Sequence, residues 1–265
     1  MSEPIIARRL AIVPTSHCSL NCRLCCDFLN GPVKRQHIPL ETVLKDVDDC
    51  FRLIDHVVWL QFVGGEIFLY KEFAQILNYV QKYRERFDRI IIESNGTIFP
   101  DEECQKAILR YGNDISLFIS DYGELSRAKD QFVEFTNKHG IECRLKKYHG
   151  DDQYFDGWID NTNPHYLNEP GDVLEVNAKN CVQCKCENMH CYNGRLFRCA
   201  SSCFMNEMDL FEPKPGDHVE LRDNTSDEEK REIIRNFYKY ARRSCQYCKF
   251  KYIGILPRYP AAEQL

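Results

Sequence analysis

The sequence predicts an α/β fold in two parts: a partial (β/α)6 TIM-like barrel, then a small Cys-rich domain built on a β-hairpin and a helix. Three observations carry this. Apolar strand-like runs alternate with amphipathic helical runs between residues 8 and 148, the pattern of parallel βα units. That regularity stops near His149. Beyond it the composition shifts to short segments rich in cysteine. The expected domains are residues 1–150 for the barrel, 151–172 for a linker or substrate loop, and 173–265 for the second domain.

Each element has its own signal. Residues 8–14 (RRLAIVP) read as a buried strand that runs straight into a cysteine loop. Over 40–53, Val43, Leu44, Val47 and Phe51 fall on one helical face. Residues 56–63 (HVVWLQFV) are a second strand, and 72–87 an amphipathic helix. Residues 89–94 (RIIIES) form a third strand, closed by Asn95-Gly96-Thr97. A helix over 101–111 has an acidic first turn, which suits its dipole. Residues 115–120 (ISLFIS), 124–139 and 141–148 supply a fourth strand, a fourth helix and a fifth strand. Five units, or six, fall short of the eight of a closed barrel, so an open one is expected.

Residues 150–172 are rich in Asp, Asn, Gly and Pro, with Tyr154, Phe155, Trp158 and Tyr166 interleaved. They read as a solvated acidic loop or as a substrate loop. In the second reading the aromatics stack on a sugar ring, and Asp151, Asp152, Asp156 and Asp160 bind hydroxyl or ammonium groups. Asn193-Gly194 predicts a hairpin over 188–198. A charged helix over 227–243, capped by Ser226, delivers Cys245 and Cys248.

The chain has 265 residues, of which 43% are hydrophobic, enough for one large domain or a domain with an appendage. Its net charge is -5 without a Lys/Arg block, which argues against nucleic acid. No apolar run is long enough to span a bilayer, and Met1-Ser2-Glu3-Pro4 opens without a secretory pattern, so a cytoplasmic location is expected. There, 15 cysteines read as metal ligands before disulfides. They group at 18–26, at 181–203 and at 245 and 248; Cys50, Cys104 and Cys143 stand alone and read as inert packing.

Cys18, Cys22 and Cys25 follow the first strand at C-x3-C-x2-C spacing. Three thiolates can hold three irons of a [4Fe–4S] cube and leave the fourth open to a small molecule. A zinc knuckle would want a fourth Cys or His in range. Gly64-Gly65-Glu66 follows the second strand. In this order the two motifs resemble those of radical S-adenosylmethionine (radical SAM) enzymes, over about residues 8–150. The resemblance implies that Gly64, Gly65 and Glu66 hold the amino group of SAM. It also implies that Asn95 and Ser120, at the ends of the third and fourth strands, reach its ribose or carboxylate; strand-end capping is their plainer reading. The activity implied is reductive cleavage of SAM to a 5′-deoxyadenosyl radical that takes a substrate hydrogen, fed by a flavodoxin- or ferredoxin-type reductant. This chain departs from the family where Leu24 and Cys26 flank the third cysteine, positions that are commonly aromatic. Phe28 is the expected substitute, and no glycine-rich motif is evident around Cys143.

The second part resembles the SPASM/twitch extensions of the same enzymes, which carry auxiliary [4Fe–4S] clusters. Cys181, Cys199, Cys245 and Cys248 match the four ligands of a twitch, with Cys184 competing for the first position. No cysteine follows Cys248, which predicts one auxiliary cluster. Cys181, Cys184, Cys245 and Cys248 also have the spacing of a zinc ribbon, the competing reading. The layout is similar to that of short twitch enzymes of the 2-deoxy-scyllo-inosamine dehydrogenase type. With the cysteine motif starting at residue 18, no leader-binding domain is expected before it, which favours a small polar substrate over a peptide. The first expectation is oxidation of an alcohol on a carbohydrate-like or cyclitol-like molecule, the auxiliary cluster taking the electron. Alternatives are epimerisation, with Cys143, Cys186, Cys191 or Cys203 as hydrogen donor, and peptide crosslinking. A non-catalytic iron–sulfur or zinc protein is the remote alternative.

Overall fold

The computed structural model describes residues 3–31, 33–152, 158–160, 187–249 and 256–265. Five parallel strands come first: β1 (Ile6–Thr15), β2 (His56–Gly64), β3 (Phe87–Ser94), β4 (Ile115–Asp121) and β5 (Glu142–Lys147). Helices α1 (Leu40–Leu53), α2 (Phe73–Val80), α3 (Glu102–Leu109) and α4 (Lys129–His139) connect them. The later strands are β6 (Asn188–Tyr192), β7 (Arg195–Phe197) and β8 (His218–Glu220). All eight lie in one sheet of order β5-β4-β3-β2-β1-β6-β7-β8.

β6 is a sixth parallel strand, but it pairs with β1 rather than extending the sheet beyond β5. The sequences of the two edges explain this. β5 (ECRLKK) is charged and largely exposed, as suits an edge that must not pair further. β6 (NMHCY) is buried almost throughout. The sheet then continues through the antiparallel β7 and β8, so barrel strands and hairpin share one hydrogen-bonded ladder.

Strand period 2 sorts the side chains into two layers. Leu60, Phe62, Ile90, Ile92, Leu117 and Ile119 are at most 1% exposed and belong to the main apolar core. The alternate positions, among them Trp59, Gln61, Arg89, Glu93, Phe118 and Ser120, face the opposite, inner side.

Helix α1 has the bounds expected from its periodicity. The other four expected helices are shorter, α3 by a residue or two at each end. α2 gives way to a 3-10 turn at Gln81–Arg86, where Tyr83 leaves helical geometry (φ -106, ψ 16). Tyr83 is held instead by α1, stacked on Phe51 at 4.3 Å and donating to Asp48 at 2.9 Å. α4 starts late because Ser126 binds elsewhere: its Oγ donates to the Asn95 carbonyl at 2.7 Å and accepts the Tyr122 N–H at 2.9 Å. The helix expected over 227–243 is α6 (Asp227–Arg235). It ends where the Asn236 side chain turns back to the Glu232 carbonyl at 2.8 Å. Between the hairpin and β8 lies α5 (Ala200–Glu207), a helix not expected from the sequence. Among the described residues no helix is long and apolar enough to cross a membrane.

Candidate active site

The carboxyl ends of β1, β2, β3 and β4 carry the residues singled out from the sequence. After Thr15 the chain turns into the cysteine loop, which is fixed by buried polar contacts. Ser16 Oγ accepts the Gln36 N–H at 2.9 Å and donates to the Lys34 carbonyl at 3.1 Å. Arg35 does more. Its guanidinium donates to the carbonyls of Leu29 at 2.6 Å, Cys18 at 3.1 Å and Leu20 at 3.2 Å, and to Asn21 Oδ1 at 2.9 Å. A planar fork of five N–H groups can serve four acceptors at once; an ammonium cannot.

Cys18, Cys22 and Cys25 are free and half-buried on this loop. Burial pushes the Cys22 thiol up to about 11 and the Cys25 thiol up to about 12. Cys18 is raised as well, chiefly by burial, while the Arg35 charge pulls it back. Among the described residues no group of three or more His, Cys, Asp or Glu side chains is arranged to hold one metal ion. A cube takes one thiolate per iron, so its ligands need not converge on a single point. The donor set fits such a cube. Three soft thiols share one loop, a guanidinium stands beside them, and amide groups donate to two of them: Asn95 Nδ2 to Cys18 Sγ at 3.5 Å and Gln264 Nε2 to Cys22 Sγ at 3.4 Å. N–H donors and nearby positive charge are what an anionic thiolate cluster requires.

Gly64 and Gly65 pack directly on the same loop. A Cβ on Gly65 would sit 2.2 Å from the His17 carbonyl oxygen, and one on Gly64 would sit 2.2 Å from that of Thr15. The N–H groups of Gly65 and Glu66 donate to Thr15 and His17 at 3.1 and 2.8 Å. Glu66 is fully buried and occupied within the protein. Its oxygens accept from Ser94 Oγ at 2.9 and 3.0 Å, Asn95 N–H at 2.9 Å and Phe68 N–H at 3.2 Å. Burial nevertheless raises its pKa to about 7.

Asn95 links β3 to the cysteine loop through Cys18 and through Ser19 Oγ at 3.1 Å. Ser120 is half-buried on the inner side of β4, and Asp121 is bound by Lys129 at 3.0 Å and His149 at 3.1 Å. Phe28 is only 2% exposed and packs into the core rather than standing at the loop surface. Deeper on the inner face, Gln61 Nε2 donates to Glu93 Oε1 at 2.8 Å. Glu93 is exposed on this face, yet the protein crowded around it raises its pKa, and the charges of Arg9 and Lys146 oppose the shift. At the mouth, Tyr122 stacks on Tyr148 at 5.4 Å and meets Trp158 edge-on at 5.8 Å.

The second cysteine set is partly visible. Cys199 caps α5, its Sγ accepting the Ser202 N–H at 3.4 Å. Cys245 Sγ accepts from Arg242 N–H at 3.3 Å and from Arg198 Nη1 at 3.4 Å. Cys248 N–H donates to the Cys245 carbonyl at 3.4 Å. Cys181, Cys184 and Cys186 lie outside the described residues, as do Tyr154, Phe155, Asp156 and Tyr166. Of the other thiols, Cys191 and Cys203 are at most 1% exposed, and Cys143 is half-buried. Arg35, Arg198 and Gln264 had no spacing signal in the sequence. Each acts on backbone or sulfur atoms of a segment that local pattern does not reveal.

No family model and no curated protein matches the chain. Solved structures do. BtrN, in complex with AdoMet and 2-DOIA, matches 93% of this chain and 93% of its own, with a TM-score of 0.54 at 13% identity. Native anSMEcpe with bound AdoMet and a peptide matches 54% of this chain at 20% identity and a TM-score of 0.42. The match covers 43% of anSMEcpe, so the chain spans less than half the length of that protein. The fold is therefore the one that BtrN has, a partial barrel on a parallel sheet. Among solved structures, BtrN shares that fold along nearly the whole chain.

Proposed function

We propose that this chain is a radical SAM oxidoreductase that converts an alcohol of a carbohydrate-like or cyclitol-like molecule to a carbonyl. One observation carries the reading. The three-cysteine loop after β1 is packed on Gly64-Gly65-Glu66 after β2, through the 3.1 Å and 2.8 Å bonds to Thr15 and His17. A structural metal loop has no need of that second motif. Cys18, Cys22 and Cys25 hold the first cluster, and Cys199, Cys245 and Cys248 with Cys181 or Cys184 hold the second. A cluster held at the first site would supply reductive cleavage of SAM for hydrogen abstraction, and one held at the second would supply an acceptor for the electron left on the substrate.

The substrate carbon gives up a hydrogen atom, its hydroxyl gives up a proton, and one electron leaves, so the product has lost two hydrogens. The inner face supports a polar substrate. Glu93, exposed on that face and oriented by Gln61, is placed to accept the hydroxyl proton. Tyr122, Tyr148 and Trp158 form an aromatic wall on which a sugar-like ring can lie. BtrN was solved with 2-DOIA, which makes that compound the first to try as a substrate. Cys191 and Cys203 are too buried to return a hydrogen to such a substrate, so in the alternative reading, epimerisation, the donor would be Cys143 or Cys186.

The test is iron and sulfide per chain after anaerobic reconstitution, in wild type and in the Cys18/Cys22/Cys25→Ala variant. About eight irons falling to about four supports two cubes. About four falling to none, with zinc retained, would make the second site a ribbon and remove the electron acceptor. Formation of 5′-deoxyadenosine from SAM on reduction, lost in the triple variant, separates an enzyme from a binding protein.

A further inference from the structure

The cysteine loop has a partner more than two hundred positions away in sequence. Arg23 N–H donates to the Glu263 carbonyl at 2.7 Å and Leu265 N–H to the Asn21 carbonyl at 3.0 Å, framing an antiparallel bridge between Cys22 and Gln264. The Arg23 guanidinium binds Glu263 Oε2 through Nε at 3.0 Å and Nη2 at 2.6 Å, and lies over the Tyr259 ring at 5.7 Å. The Gln264 amide then reaches the sulfur of Cys22. Its Oε1 accepts the Asn21 N–H at 2.7 Å, and its Nε2 donates to the Ala262 carbonyl at 2.6 Å and to Cys22 Sγ at 3.4 Å. The orientation of this amide is fixed chemically. The Asn21 N–H can only donate and the Ala262 carbonyl can only accept, so the NH2 end must face the thiol. The turn that brings Gln264 here holds Ala262 at φ 53, a left-handed conformation that a buried alanine adopts only when its surroundings impose it.

We propose that residues 259–265 form a strap over the iron–sulfur loop, and that Gln264 is a positioning residue whose amide N–H holds and tunes the Cys22 thiolate. The inference rests on the reading of Cys22 as a cluster ligand. Asn95 serves Cys18 in the same way from β3, and its orientation is fixed by the Thr97 N–H donating to Oδ1 at 3.0 Å. Two of the three thiolates thus each receive one side-chain amide N–H, from opposite parts of the chain. An N–H donor stabilises the more negative, reduced state of a cluster, so it raises the reduction potential. The strap also covers the Cys22 corner and slows escape of its iron.

The test uses the full chain, reconstituted anaerobically, as wild type, Gln264→Leu and Gln264→Glu. The Glu variant keeps an acceptor for the Asn21 N–H but offers no N–H to Cys22, which separates tuning from anchoring. Two quantities are read on the EPR signal that changes when SAM is added: its midpoint potential, and the rate at which it is lost to an iron chelator. Both variants should shift the potential downward, and Gln264→Leu should release iron about 10-fold faster. Unchanged potential and release in both variants, with native circular dichroism, overturns the proposal. Hydrogen exchange on the unaltered protein gives an independent reading: the Arg23 and Leu265 amides should be protected, and exchange at the free-peptide rate means that no strap exists. If the wild type gains no iron, or shows no SAM-sensitive signal, the cluster reading itself falls, a different failure from a normal signal that ignores Gln264.

Discussion

The Glu66 carboxylate accepts the backbone N–H of Asn95 at 2.9 Å, and so ties the loop after β2 to the end of β3. Ser94 Oγ donates to the same carboxylate, and Asn95 Nδ2 continues to Cys18 Sγ. The two residues form one polar chain that ends on a candidate cluster ligand. Its geometry makes Glu66 a support for the site as well as a charge within it. Replacing it with Gln turns one acceptor oxygen into an NH2 group that faces N–H and O–H donors. Glu66→Gln should cost about 1–3 kcal/mol of stability. It should also loosen the loop enough to lower iron occupancy. Denaturant midpoints and iron per chain check the two parts separately.

Gly65→Ala is the sharper probe of how the two motifs meet. The new Cβ would lie 2.2 Å from the His17 carbonyl oxygen and 2.8 Å from the Cys18 nitrogen, so one backbone must move. The core below does not depend on this contact, and the variant should fold. Iron bound at the first site should nevertheless fall to a small fraction of wild type, while iron at the second site is unchanged. A normal iron count in Gly65→Ala would show that the loop tolerates displacement and that the close packing is incidental.

Arg35→Lys tests whether the loop needs a fork or only a charge. Lysine keeps the positive charge but cannot bind the Leu29, Cys18 and Leu20 carbonyls together with Asn21 Oδ1. We expect a loss of about 1–3 kcal/mol, from carbonyls left without donors. Faster reaction of Cys18 and Cys22 with a thiol reagent should accompany it in the metal-free protein. Equal thiol reactivity in the two proteins would mean that charge alone suffices.

Much of this was legible in the residues, because it is local. The α1 helix follows from Val43, Val47 and Phe51 on one face, and the hairpin turn from Asn193-Gly194. The cysteine spacing and the glycine pair are motifs of adjacent residues, and strand order along the chain places them on neighbouring strands. What escaped was non-local. Nothing in Asn188–Tyr192 says that it pairs with β1 rather than extending the sheet from β5, because that choice depends on which edge is apolar once both strands exist. Ser126 ends the approach to α4 by binding Asn95 and Ser120 carbonyls, an interaction between loops that no period encodes. Arg35, Arg198 and Gln264 reach partners across the fold, and a lone side chain of that kind looks like any surface residue in a sequence.

Two buried groups, Glu66 and His190, should give the stability profile opposite slopes across one pH range. Burial raises the Glu66 pKa from an ordinary 4.5 to about 7. The folded state therefore keeps a proton that the unfolded chain releases, and this contribution is lost as pH rises through that window. His190 on β6 is 5% exposed, with Nδ1 at 3.2 Å from the Asn188 carbonyl, and burial lowers its pKa from 6.5 to about 4. Here the unfolded chain binds the extra proton, so the contribution is present above the ordinary value and lost as pH falls toward the folded one. Each amounts to about 3 kcal/mol at full extent, so in the wild type the two largely offset between about pH 4.5 and 6.5. Single replacements should unmask them. Relative to wild type, Glu66→Gln should gain stability as pH rises across the window, and His190→Phe should lose it. Urea unfolding at several pH values checks this, and parallel curves for the three proteins would show that neither group titrates as its burial requires.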